Sequence, residues 1–166
     1  MALDLPALRR QLLDAREVRD ARIRRHFGTG STLVFLGTNI PGPDKHLVEL
    51  DRLMTVWLDG VVAEFADAIV VDRGDDALGP WELIGTRMEP EVAKRRAVAL
   101  EEALRAGRLL DLDVYAPDGS QVDRRRIGLP PRCCLVCDEP AGECIRAGRH
   151  TTAELHAAVC TLLVTP

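Results

Sequence analysis

The chain is poor in aromatics: Phe, Trp and Tyr together make 4% of its 166 residues, with a single tyrosine. A core built without them must rest on Leu, Val and Ala, which is feasible at this length, since one domain can bury one sizeable core. No apolar run approaches the roughly 18 residues that a membrane span requires. Basic charge is not in excess. The formal net charge is −4, which argues against a nucleic-acid binder. The first residues, MALDLPALRR, lack the apolar stretch of a secretory signal, so the expected compartment is the cytoplasm. There is no internal repeat, no low-complexity segment and no obvious linker, which predicts one domain over 1–166.

What is present is ordinary in amount and uneven in placement. Hydrophobic content is 46% and charged content 29%, the profile of a globular chain. Arginines occur in clumps: Arg9-Arg10, Arg22 to Arg25 around Ile23, Arg95-Arg96 and Arg124 to Arg126. Local phosphate-binding patches are therefore compatible with the acidic total. Leu5, Leu8, Leu12 and Ala15 at helical spacing predict a helix over 4–25. The apolar, β-branched STLVFLGTNI (31–40) predicts a central strand. After the Pro41-Gly42-Pro43 turn, Asp44 is placed to cap a helix running to Phe65. Strands are expected at 67–72 and 81–87, with RGDDALGP (73–80) as a loop between them. Residues 91–105 fit a helix by composition but could also form a strand. GRLLDLDVY (107–115) reads as a strand, turned by APDGS onto a return strand near 121–127. Thr151 and Glu154 form a capping box for a terminal helix. The expected class is α+β, a mixed or antiparallel sheet packed with helices. A small cysteine-rich loop (128–150) precedes the C-terminal helix.

Two features carry chemistry. In a strand, alternate side chains share a face, so Asp111 and Asp113 point the same way, roughly 6–7 Å apart, with Leu110, Leu112 and Val114 opposite. Two carboxylates on one face repel unless a cation sits between them. A magnesium ion shared with substrate phosphates is a common solution; the alternative is an edge strand with its acids in water. The second feature is Cys134-x2-Cys137, followed by Cys144 and His150. Three thiols and an imidazole suit a tetrahedral zinc, and a closed set of four would be structural. The alternative is reduced, partly buried thiols in a tight loop. Cys133 is a spare neighbour, and Cys160 falls on the apolar side of the last helix, where packing is the expected role. His26, His46 and His156 have no motif around them.

GRLLDLDVY followed by LPPRCCLVCDEPAGECIRAGRH resembles the holo-ACP synthases of citrate lyase, also called apo-citrate lyase phosphoribosyl-dephospho-CoA transferases. Members carry a G-R-L-x-D-x-D-V element, a P-P-R-x-C-L-x-C element, then a Cys and a His at similar distances. LLDAREVRDARI (12–23) and NIPGPDK (39–45) resemble that family's opening, so the likeness spans nearly the whole chain. Two positions depart from the pattern: Cys133, where members often carry a basic residue, and Arg105-Ala106, where Pro-Leu is expected.

The resemblance implies a transferase that moves a phosphoribosyl-dephospho-CoA group from its triphosphate donor, triphosphoribosyl-dephospho-CoA, to a serine of the citrate lyase acyl carrier protein. Asp111 and Asp113 would hold the magnesium. Arg16, Arg19, Lys45 and Arg108 are the candidate phosphate ligands, although strand alternation sets Arg108 on the face opposite Asp111. Glu101 is a further carboxylate near in sequence. Arg124 to Arg126 would offer a basic surface to the acidic carrier. Two other readings stand beside this one: a non-catalytic, zinc-stabilised interaction module, and a nucleotidyltransferase with a related donor and carrier, such as one serving malonate decarboxylase.

Overall fold

A computed structural model describes residues 5–42, 45, 48–65, 67–103 and 105–164. Among these residues, five α-helices and five strands follow one another as α1 (Leu5–Arg24), β1 (Thr32–Thr38), α2 (Val48–Glu64), β2 (Ile69–Asp76), β3 (Gly79–Thr86), α3 (Pro90–Ala103), β4 (Leu110–Tyr115), β5 (Gln121–Val122), α4 (Ala141–Ala147) and α5 (Thr152–Val164). A 3-10 turn, Arg105–Leu109, joins α3 to β4. The strands form one antiparallel sheet in the order β2-β3-β1-β4-β5. The fold is α+β, and of the two sheet types expected the antiparallel one is realised. None of the described helices is long and apolar enough to cross a membrane.

Alternation along the strands sorts the side chains into two layers. Val34 and Leu36 of β1, Ile84 of β3 and Leu110, Leu112 and Val114 of β4 enter the larger core. There they meet Leu50, Met54, Trp57 and Val61 of α2, with Phe65 just beyond it, and Ala93, Ala97 and Val98 of α3. Leu33, Phe35, Trp81 and Leu83 point to the other face, under Ile23 of α1. β1 is buried on both faces, as a central strand must be. Helix α1 is fixed over its layer by arginines. Arg19 grips Asp76 with two bonds of 2.8 Å and donates to the Gly79 carbonyl at 2.6 Å. Arg22 pairs with Asp72 and lies 4.5 Å from the Trp81 ring.

The differences from the sequence reading have local causes. RGDDALGP is no loop: β2 continues to Asp76, which pairs with Gly79 across a two-residue turn, with Gly79 at φ +94°. Residues 90–103 are helical. The Gly-Arg-Leu of GRLLDLDVY is a 3-10 turn and not strand. Gly107 is required there because a Cβ would lie 2.6 Å from the Glu101 carbonyl oxygen at the end of α3. The return strand stops at Val122, because the backbone then folds on itself through Gly128 N–H to Arg125 O and Leu129 N–H to Arg124 O. Cys160 is exposed, beside His156, and not packed. The Asp44 cap and His46 lie outside the described residues.

Candidate active site

Asp111 and Asp113 occupy the face of β4 that looks toward α1. Their cross-strand partners on β1 are Gly37 and Phe35. Gly37 has no side chain to fill the space beside Asp111, and a Cβ there would meet the Phe35 ring at 2.8 Å. Burial in the cleft and the neighbouring Asp113 charge push the Asp111 carboxyl up to about 6. Arg132 Nη1, at 3.9 Å from Asp111 Oδ1, only partly offsets this. Asp113 Oδ1 accepts a 2.9 Å bond from Gln121 Nε2. Two close, recessed carboxylates without a full counter-charge are the donor set a hard divalent cation takes.

The pair stands where two cavities meet. On the α1 side a cavity of about 330 Å³ is lined by Arg16, Arg19, Lys45 and Thr38 together with both aspartates. Four of the cations and acids expected from separate parts of the sequence thus converge with Arg19 as a fifth. Arg16 is exposed and makes no ion pair among the described residues. Lys45 donates to the Ile40 carbonyl. Burial, then the Arg16 charge, lower its affinity for a proton. Arg19 is less available, being committed to Asp76 and Gly79. The buried Thr38 hydroxyl has no hydrogen-bond partner among the described residues.

On the other side a cavity of about 600 Å³ wraps the free edge of β4. It exists because β5 is two residues long and pairs only with Val114 and Tyr115, leaving Leu110 to Leu112 unpaired on the side away from β1. Side chains satisfy that edge instead. Lys94 Nζ donates to Leu112 O at 2.7 Å, Leu112 N–H donates to Glu101 Oε1 at 3.0 Å, and Arg132 Nη2 donates to Leu110 O at 2.7 Å. Glu101, 4% exposed, also binds Arg132 at 2.8 Å and Arg124 at 2.9 Å. Lys94, Arg132 and the depth of Glu101 escaped the sequence reading. A signal was there: Ala93, Lys94, Ala97, Val98 and Glu101 form one helical stripe, so the two charges interrupt the buried face. Arg108 is not beside the aspartates. It donates to the Cys134 carbonyl from the 3-10 turn and lines an outer cavity of about 520 Å³. Of the Arg124 to Arg126 run, Arg124 pairs with Glu101 and Glu102, Arg126 pairs with Glu91, and Arg125 is exposed at the rim.

The cysteine loop contains α4, and its four ligand-type residues come together. One ligand atom each from Cys134, Cys137, Cys144 and His150 lie within 4.8 Å of one another. Cys137 Sγ is 3.5 Å from Cys144 Sγ and 3.3 Å from His150 Nε2. A tetrahedral ion with bonds of about 2.0–2.3 Å needs ligand atoms at such spacings. The loop is tied to the site by backbone: Ala141 N–H donates to Arg132 O and Cys134 N–H to Glu139 O, at 2.9 and 2.8 Å.

Recessed paired acids between two cation-lined cavities form the kind of site that handles a phosphate-rich substrate. Comparison with known proteins makes the assignment specific. Residues 8–165 match the family described as apo-citrate lyase phosphoribosyl-dephospho-CoA transferase. The protein of that name from Citrobacter koseri is 31% identical over 153 residues, covering 87% of this chain and 82% of the relative. A probable transferase of the same name from Streptococcus pyogenes serotype M18 is 29% identical over 155 residues, with 90% and 80% covered. Protein CitXG of Leuconostoc mesenteroides subsp. cremoris is 30% identical over 159 residues; the alignment takes 92% of this chain but 34% of that longer protein. The chain belongs to the apo-citrate lyase phosphoribosyl-dephospho-CoA transferase family. It is thus a transferase and not a non-catalytic zinc-stabilised module.

Proposed function

We propose that the protein transfers 2'-(5''-phosphoribosyl)-3'-dephospho-CoA from its triphosphate donor to a serine hydroxyl of the citrate lyase acyl carrier protein, with release of diphosphate. The observation that carries this is the meeting of Asp111 and Asp113 with Arg16 and Lys45 in one cavity of a chain of this family. The serine oxygen forms a bond to the phosphorus attached to the ribose, and the bond from that phosphorus to diphosphate breaks. The serine proton passes to solvent. Magnesium held by Asp111 and Asp113 would neutralise the two acids and polarise the phosphate oxygens.

The protein's own residues supply the rest. Arg16 and Lys45 face the space where the departing diphosphate gathers charge; neither has a carboxylate partner among the described residues, and such a cation gains most from an arriving anion. The unpartnered Thr38 hydroxyl offers a donor in the same cavity. Arg19 contributes positive potential while its bonds to Asp76 hold α1 over the site. Arg108 serves the outer cavity. The acidic carrier approaches from the rim marked by Arg125. The Cys134, Cys137, Cys144 and His150 cluster would hold a structural zinc, since four protein ligands would leave no open position for a substrate.

The test is direct. Purified protein, magnesium, the triphosphate donor and the apo carrier should give a carrier heavier by one prosthetic group and one equivalent of diphosphate. An unmodified carrier under these conditions contradicts the assignment.

A further inference from the structure

The donor must reach away from the reacting phosphorus in two directions. Its diphosphate goes one way, and the ribosyl-dephospho-CoA that is to be transferred goes another. Among the described residues, the two cavities beside Asp111 and Asp113 share those two residues and Asn39 alone. A donor whose reacting phosphorus sits at the acids therefore has to divide itself between them.

Size and charge decide the orientation. The transferred part carries a nucleotide and a long pantetheine arm. It needs the larger space, and the cavity of about 600 Å³ adjoins the outer one of about 520 Å³, with Glu101, Arg124, Pro131 and Arg132 lining both. Diphosphate is small and densely charged, which suits about 330 Å³ lined by Arg16 and Lys45, neither of which has a carboxylate partner among the described residues. The arginines of the larger cavity are differently built. Arg124 and Arg132 share the buried Glu101 carboxylate, and Arg124 takes Glu102 as well. Glu101 is 4% exposed, so these guanidinium groups are fixed in place before any ligand arrives. Half-neutralised, rigid arginines suit the less concentrated charge of a phosphodiester-type diphosphate better than a free trianion.

Resting on the transferase reading above, we infer that Arg124 and Arg132, held by Glu101, form a second anion subsite. It binds the phosphates of the transferred dephospho-CoA half, across Asp111 and Asp113 from the diphosphate. Glu101 is a positioning residue in this arrangement. It touches no substrate and acts through the two arginines.

Calorimetric titration with dephospho-CoA and with inorganic diphosphate, each in the presence of magnesium, separates the two subsites. Arg132→Gln should weaken dephospho-CoA by about tenfold or more and change diphosphate by less than about twofold. Arg16→Gln should do the reverse. Arg125→Gln, at an exposed position of the same cavity where folding is not at stake, should weaken dephospho-CoA alone, by a few-fold (about 2–5). If Arg132→Gln weakens diphosphate and spares dephospho-CoA, the orientation is reversed and the inference is overturned. If the wild type binds both probes and neither Arg132→Gln nor Arg125→Gln alters dephospho-CoA, the subsite falls while the transferase reading stands. If the wild type does not bind dephospho-CoA, the subsite falls, and the transferase reading is decided separately by the mass gain of the carrier.

Discussion

Glu101 shows how much one buried side chain organises. Its two oxygens take the Leu112 amide and two arginines from a different part of the chain. Removing it leaves the Leu112 amide without its acceptor and takes the shared buried carboxylate from both arginines, leaving Arg124 with Glu102 and Arg132 with the Leu110 carbonyl. Breaking a buried pair from one side costs about 3–5 kcal/mol. Glu101→Ala should therefore lower the free energy of unfolding by that order in a urea titration, and a loss below about 1 kcal/mol would show that the arginines find other partners. At this scale the sequence was partly readable. Strand alternation puts Asp111 and Asp113 on one face, and the family motif marks them. Arg16 and Lys45 were expected at the site and line the same cavity as the acids. Arg132 was hidden because nothing local says that a residue before a cysteine knuckle returns to the edge of β4. Arg108 lies away from the acids, as strand alternation indicated, and the 3-10 turn at Gly107 directs it to the Cys134 carbonyl.

The cysteine loop is the element whose place in the fold matters most. It lies next to β4 in space as well as in sequence. Arg108 bonds to the Cys134 carbonyl, and the Arg132 carbonyl accepts from Ala141. Metal at the cluster would therefore hold the backbone that presents Arg132. Cys137→Ser should abolish stoichiometric zinc under reducing purification and impair dephospho-CoA binding more than diphosphate binding. Metal analysis and calorimetry check the two halves, and a wild-type protein purified without zinc would remove the basis of both. Other elements read cleanly from the sequence for simple reasons. Leu50, Met54, Trp57, Val61 and Phe65 repeat at helical spacing, and the Thr151–Glu154 box closes with bonds of 2.8 and 3.2 Å. β2 and β3 were underestimated, because an Arg-Gly-Asp-Asp run looks like a loop until Asp72 and Asp76 are seen paired with the arginines of α1.

Across the whole molecule, the sheet brings residues from distant parts of the chain to one point. Strand order β2-β3-β1-β4-β5 sets β4 beside β1 and near the edge, so its acids face α1 on one side and the open edge on the other. That order depends on long-range pairing, which local patterns do not encode, and for that reason the sheet could be expected only as mixed or antiparallel. The central claim is that Asp111 and Asp113 act together through a divalent cation on the donor's phosphates. The measurement that bears on it is the rate of carrier mass gain as magnesium is titrated, in wild type, Asp111→Asn and Asp113→Asn, with thermal melting followed in parallel. Each variant should lose at least about 10²-fold in rate, with no recovery at high magnesium and an unchanged melting temperature. Magnesium-independent transfer by the wild type, or full activity in both variants, would contradict the account.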